Sequence, residues 1–513
     1  MALWRSTFIV SAMTMLSRVL GLVRDIVLLN VFGAGKDFDT FLVAFRIPNF
    51  FRRLFAEGAF SQAFIPVLTE YKTTKLHAEV QILISRVFGC LLTVMSLLTL
   101  VCMIIAPVIL YIYAPGFHDD PAKFDLAVSL FRLTIPYLLF MSLTAFASSI
   151  LNSYGSFTTP AFAPVLLNVA MIAGAWFLTP YMTPAIMALG WSVVIAGVLQ
   201  LALQIPELWK KKLLIPPKID FKHEGVDRIL KLMLPALFGV SVTQINLLLN
   251  TIWASFMQTG SVSWLYTAER MTELPLGLIG VAIGTVILPA LSSRKAEQDV
   301  NKFKQMLDWA ARVIVFAGVP ASIALFMLSK PIIQALFQHG AFDIRDTEMT
   351  ALALQCMSAG VLAFMLIKVF APGFYAIQDT KTPVRVGLMA VAANAIINVL
   401  LLGLFYLIGW QEKHMALAIA SSGSALVNAG MLYFYLHRRN IFRFGAHWKK
   451  LILQYAVGNS AMIAALWFGL SWYSESAAPW MRIVEVCILC VVGVLAYGIG
   501  LLISGFRPRQ LKH

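Results

Sequence analysis

The chain has 513 residues, 59% of them hydrophobic and 13% charged, with a mean hydropathy of +0.80. A soluble domain of that length cannot cover its surface with so few polar side chains, so the expected solvent is a bilayer. The formal charge of +15 does not mark a nucleic-acid binder, because the basic residues concentrate in short loops between apolar segments, where they orient a chain in a membrane.

In chain order, hydropathy and loop signals predict about fourteen helical spans, centred near residues 20, 55, 97, 140, 170, 195, 243, 277, 318, 362, 395, 426, 460 and 493. Spans one, two, seven and eight are weaker because they carry polar groups. The first begins after Arg5 and has no A-x-A-type cleavage site, so it is expected to be an uncleaved helix. Thr14, Arg18, Gly21 and Asp25 share one of its faces, with Arg24 on the flank. The loop Gly33-Ala34-Gly35-Lys36-Asp37 lacks the upstream glycine spacing and the Ser/Thr of a phosphate loop. Span two carries a stripe of Arg46, Asn49, Arg53 and Glu57, with Arg52 to one side, and Arg53 and Glu57 are spaced to pair.

Further along, Arg86 and Arg132 lie near span ends, where long basic side chains snorkel, and Lys368 is a lone charge in span ten. Span eight aligns Ser263, Tyr266, Arg270 and Glu273, with Glu269 beside them. Asn246 and Asn250, Asn394 and Asn398, and Asn428 fit either a coupling-ion site or interhelical hydrogen bonding. Cys90, Cys102, Cys356, Cys487 and Cys490 all fall in predicted helices and read as small apolar residues. No zinc-protease, serine-hydrolase or Asp-rich cation motif is present, which points to a transporter rather than an enzyme. With no ATP site, transport is expected to draw on an ion gradient or the membrane potential, and no cofactor is implied beyond a coupling ion.

The loops alternate in charge. One set holds Lys72/Lys75, Lys210-Lys211-Lys212 with Lys218, Lys222 and Arg228, Arg294/Lys295/Lys302/Lys304, Lys381/Arg385, and Arg438/Arg439/Arg443/Lys449/Lys450. The other set holds Lys36, Lys123, Lys330, Arg345, Lys413 and Arg482. The positive-inside rule then places both termini in the cytoplasm.

The chain also repeats itself at an offset of about 223 residues. Phe64-Ile65-Pro66-Val67-Leu68 meets Ile287-Leu288-Pro289-Ala290-Leu291, Pro107 meets Pro331, and Thr159-Pro160 meets Thr382-Pro383. Six spans per half make this a parallel repeat. The expected organisation is an N-lobe at 1–206, a cytoplasmic linker at 207–228, a C-lobe at 229–440, and two further spans with a tail at 441–513. The repeat superposes spans two and eight, so their polar stripes are expected to enclose a cavity.

Arg18, Arg24, Arg52, Arg53 and Arg270 all lie inside apolar stretches. A charge at the bilayer centre costs about 2.5–3.5 kcal/mol on insertion scales, and five facing lipid would cost on the order of 10 kcal/mol. They are therefore expected to face counter-charges, water or an anionic ligand. Counting Arg46, these arginines outnumber Asp25, Glu57, Glu269 and Glu273, and the surplus suits a phosphate or diphosphate, which arginine grips with two parallel hydrogen bonds.

The motifs carry a resemblance that spans essentially the whole chain. Ser11-x-x-Thr14-Met15-x-Ser17-Arg18-Val19-Leu20-Gly21-x-x-Arg24-Asp25 and Pro48-Asn49-x-x-Arg52-Arg53-x-Phe55-Ala56-Glu57-Gly58-Ala59-Phe60-Ser61-Gln62-Ala63-Phe64-x-Pro66 resemble the MurJ (MviN) family of lipid II flippases. Gly260-Ser261-Val262-Ser263-Trp264, Arg270 and Ala371-Pro372-Gly373-Phe374-Tyr375 extend the likeness. The resemblance implies the MATE-like fold of the multidrug/oligosaccharidyl-lipid/polysaccharide exporter (MOP) superfamily: all-α, with two six-helix lobes around a cavity and two C-terminal helices beside a lipid-accessible groove. It implies as ligand an undecaprenyl-diphosphate-linked disaccharide pentapeptide (lipid II), moved to the outer leaflet of the bacterial cytoplasmic membrane for cell-wall synthesis. Membrane lipids and the cell-wall synthesis machinery are the implied partners, and nucleic acid is not. Arg18, Arg24, Arg52 and Arg270 match the family's cavity arginines. Asp25, Asp39, Asn49, Arg53, Glu57, Ser263 and Glu273 match polar positions in or near that cavity. Another polyprenyl-diphosphate glycan flippase, or a cation-coupled drug antiporter of the same superfamily, are the alternatives, and the arginine surplus argues against the antiporter.

Overall fold

A computed structural model describes residues 2–54, 60–280, 283, 287–288, 290–293, 299–475 and 478–511, and among these every regular element is helical. Among the described residues, ten helices are long and apolar enough to cross a membrane. They do not include α1 (Ala2–Phe32), α2 (Lys36–Leu54), α10 (Glu224–Ser255) or α11 (Ser261–Pro275). These four cover spans one, two, seven and eight, so the expected count of fourteen is not reached among the described residues. The expected centre of span two, near residue 55, lies outside the described residues.

The first half continues through α3 (Phe60–Thr74), α4 (His77–Ile104), α5 (Ala106–Tyr113), α6 (Pro121–Thr134), α7 (Tyr137–Ser153), α8 (Thr158–Phe177) and α9 (Met187–Lys210). After α10 and α11 come α12 (Val300–Met327), α13 (Ser329–Phe337), α14 (Ile344–Tyr375), α15 (Lys381–Leu407) and α16 (His414–Arg438). The last two helices are α17 (His447–Leu470) and α18 (Pro479–Ile503).

The repeat is visible in these boundaries. Shifted by 223 residues, α4 falls on α12, and the starts of α6 and α8 fall on the starts of α14 and α15. In both halves the long third helix breaks and resumes as a short one, α5 or α13, near Pro107 or Pro331. Proline cannot donate the backbone hydrogen bond that would carry a helix through. The copies differ where Pro136 separates α6 from α7, while the corresponding Ala359 lets α14 run on unbroken. One turn is reproduced in detail. Gly155 (φ +77°) and Gln378 (φ +62°) are both left-handed. The next amides, of Ser156 and Asp379, donate back to the carbonyls of Leu151 (2.9 Å) and Phe374 (3.0 Å). This is the same helix-ending motif 223 residues apart.

The chain divides into two compact units, Met1–Val262 and Ser263–His513. In the first, α1 packs on α8, α8 on α9, and α10 on α3. Its core gathers Phe60, Phe64, Leu68, Leu83, Phe146 and Ile150. In the second, α14 packs against α12 and α16, and α17 against α18. Its core gathers Ile287, Leu291, Leu307, Ile314, Phe370 and Phe374. Phe64 and Leu68, and their repeat counterparts Ile287 and Leu291, are all fully buried, so the repeated motif is a core motif.

The basic segment after α9 is fastened to α4. Gln81 Nε2 donates to the Lys212 carbonyl (2.9 Å), Ser85 Oγ to the Pro216 carbonyl (2.7 Å), and the Lys218 amide to the Ser85 carbonyl (3.1 Å). Gln81, Ser85 and Gly89 repeat every four residues and so form one track along α4. At Gly89 the strap lies so close that a Cβ would sit 2.3 Å from the Lys218 oxygen.

Candidate functional site

In the first unit the charged residues of α1 are divided. Arg18 is exposed, with no hydrogen-bond or ion-pair partner among the described residues. Arg24 turns inward: its Nε (2.9 Å) and Nη2 (2.6 Å) both donate to Asp25 Oδ1. The Asp25 side chain is 2% exposed and that of Arg24 12%. A carboxylate so far from water is tolerable only with its counter-charge in contact. Arg24 Nη1 also donates to Asn168 Oδ1 on α8 (3.1 Å), and Asn168 Nδ2 donates to the Ser17 carbonyl of α1 (3.0 Å).

Along α2, Arg46 donates to Thr251 Oγ1 on α10, and Arg52 Nε donates to Asn49 Oδ1 one turn back (2.8 Å). Asp39, 1% exposed, accepts the Gly260 amide at 2.6 Å. Gly260 immediately precedes α11, so a fixed negative charge holds the chain where that helix begins. The Arg53 side chain and Glu57 lie outside the described residues, and so does their expected pairing.

In the second unit, the beginning of α11 is bracketed. Ser263 is fully buried, and Trp264 donates from Nε1 to Asp346 Oδ1 (2.9 Å) while its ring meets His414 edge-on at 5.1 Å. His414 Nε2 lies 2.9 Å from the Met349 carbonyl. Two turns on, Arg270 Nη1 pairs with Glu273 Oε2 at 3.0 Å, with side chains 30% and 48% exposed. Such an open pair is weakly held and exchangeable. After Pro275 the helix passes into a π-helical turn, Leu276–Gly280, a distortion common at functional sites.

The asparagines of span eleven bond to each other, Asn398 Nδ2 to Asn394 Oδ1 (2.8 Å), and both are fully buried. No group of His, Cys, Asp or Glu able to hold a metal occurs among the described residues. Beside α17, an open groove of about 440 Å³ is lined by Ile323 and Phe326 of α12, Ala359 of α14, and Ile463 and Trp467 of α17.

The structure thus brings together Arg24 with Asp25, Arg52 with Asn49, and Arg270 with Glu273, and leaves Arg18 apart. Sequence reasoning missed Asn168, Thr251, Asp346 and His414 as partners of the charged and aromatic residues. Asn168 carried a usable signal: it is a strongly polar residue in the middle of the otherwise apolar α8.

Comparison with known proteins adds the rest. The family described as lipid II flippase MurJ matches residues 28–490. A probable lipid II flippase MurJ of Vibrio cholerae serotype O1 is 42% identical, over 99% of this chain and 98% of that protein. The lipid II flippase MurJ of Burkholderia cenocepacia is 39% identical, again over 99% and 98%. A solved structure of lipid II flippase MurJ in an inward closed conformation superposes with a TM-score of 0.79, at 26% identity, covering 96% of this chain and 98% of that one. An inward-facing MATE multidrug transporter of the MOP superfamily gives a TM-score of 0.67 at 15% identity, over 85% of this chain and 98% of that one, a likeness of fold alone.

Proposed function

The chain belongs to the lipid II flippase MurJ family, and from that premise we propose that it carries lipid II from the inner to the outer leaflet of the bacterial cytoplasmic membrane by alternating access. The full-length match to flippases carries this reading. Both termini lie in the cytoplasm on the positive-inside rule. Arg24, Arg52 and Arg270 grip the diphosphate, with Arg18 nearby, and Asp25, Asp39, Asn49, Arg53, Glu57, Ser263 and Glu273 set their surroundings. The planar fork of arginine matches two phosphate oxygens at once. Between cycles Asp25 and Glu273 serve as resting counter-charges for Arg24 and Arg270, keeping the cost of an unfilled site low. The polyprenyl tail stays in lipid beside α17 and α18, and the apolar groove next to α17 supports that placement.

The energy comes from a gradient or from the membrane potential, worth about 2.3 kcal/mol per charge per 100 mV. The test is Arg24→Ala and Arg270→Ala in a strain depleted of its own flippase, reading lipid II accessibility in the outer leaflet. Loss of accessibility followed by lysis is expected. Undiminished flipping by folded variants overturns the arginine roles.

A further inference from the structure

Asn168 is 5% exposed and uses both ends of its amide on α1. Nδ2 donates to the Ser17 carbonyl at 3.0 Å, and Oδ1 accepts from Arg24 Nη1 at 3.1 Å. Ser17 and Arg24 are seven residues apart, two helical turns, and so share a face of α1. The order of donor and acceptor is fixed by chemistry. A reversed amide would set its NH2 against the guanidinium and its oxygen against a carbonyl. Arg24 thus donates to acceptors of different kinds, among them the Asp25 carboxylate and a neutral amide. The carboxylate supplies charge, while the amide aims the fork without adding a second negative group to compete with an anionic ligand.

We propose that Asn168 is a positioning residue that orients the Arg24 guanidinium toward the diphosphate of the lipid-linked substrate. This rests on the reading that Arg24 grips that group. The competing role, ordinary hydrogen-bonded packing of α8 on α1, predicts a different pattern of coupling.

The experiment is a double-mutant cycle on the full-length protein, measuring binding of undecaprenyl diphosphate to Asn168→Ala, Arg24→Ala and the double variant. Melting temperatures are read alongside. Asn168→Ala is expected to weaken binding about tenfold and to have no further effect once Arg24 is alanine. Asn168→Asp has the shape of the original side chain, so it tests the idea should the alanine variant fail to fold. It is expected to weaken binding more than alanine does, because the added carboxylate competes with the diphosphate for Arg24. Wild-type binding by Asn168→Ala alongside impaired Arg24→Ala overturns the proposal, as does an equal loss in both backgrounds. Wild-type binding by Arg24→Ala instead sinks the assignment of Arg24 itself, and with it any role for Asn168 in aiming that group.

Discussion

Asp379 holds its carboxylate against three donors at the start of α15: the Thr382 amide (2.9 Å), Thr382 Oγ1 (2.6 Å) and Arg439 Nη1 (2.6 Å). Partial burial pushes its pKa up, but the bonds from Thr382 and Arg439 outweigh that and hold the carboxyl at about 2, against an ordinary 3.8. A depressed folded value stabilises fully above pH 3.8 and loses that stabilisation as pH falls toward 2. Asp379→Asn is therefore expected to lower stability near neutral pH by on the order of 2 kcal/mol. Its melting-temperature deficit should close between about pH 4 and pH 2. A deficit independent of pH would mean that the charge is not what matters there. At the same scale, the Arg24–Asp25 pair escapes a periodicity reading. Neighbours on a helix point roughly 100° apart, so the pattern sets them on different stripes. The arginine stem is long enough to fold back across that angle, and only coordinates show that it does.

Among the helices, the turn shared by Gly155 and Gln378 makes a comparison within one molecule. A residue with a Cβ is strained in the left-handed region by about 1–2 kcal/mol, and glycine is not. Gly155→Ala is expected to cost about 1 kcal/mol, all of it backbone strain, because nothing lies within 4 Å of the added Cβ. Gln378→Gly should stabilise by about 0.5 kcal/mol, since relief of strain is partly offset by the freer unfolded glycine. Thermal melts in one detergent decide both signs. Much at this scale was legible beforehand. Helix breaks at Pro107 and Pro331 and the buried Phe64/Ile287 motif follow from residue type and hydropathy, which repeat in the sequence itself. The unbroken α14 was not, because losing a proline, Ala359 where the first copy has Pro136, leaves no positive mark.

For the molecule as a whole, family and helical class could be read from motifs and composition, while the long-range ties could not. Asp308 on α12 is the clearest case. Its Oδ1 accepts Trp448 Nε1 (2.7 Å), and Oδ2 lies 3.1 Å from His447 Nε2 and 3.0 Å from Arg312 Nε. Arg312 Nη1 in turn donates to the Gln510 carbonyl, at 2.5 Å. Partners about 140 residues distant share no local pattern, so the hub that fastens the C-terminal pair of helices was invisible to sequence reasoning. Asp308→Ala is expected to destabilise by about 3 kcal/mol. Amide exchange should accelerate first at the start of α17 and at residues 507–511. Uniform exchange across the second unit would contradict a local hub.

The strap along α4 has a biochemical consequence. Lys210, Lys211, Lys212, Lys218 and Lys222 make this stretch rich in trypsin sites, yet a protease needs several residues of extended, detached backbone to cut. Here the backbone at Lys212, Pro216 and Lys218 is bound to Gln81 and Ser85. Digestion of the native protein should spare the bond after Lys218. Gly89→Ala, by forcing the strap off its track, should turn that bond into an early cleavage point.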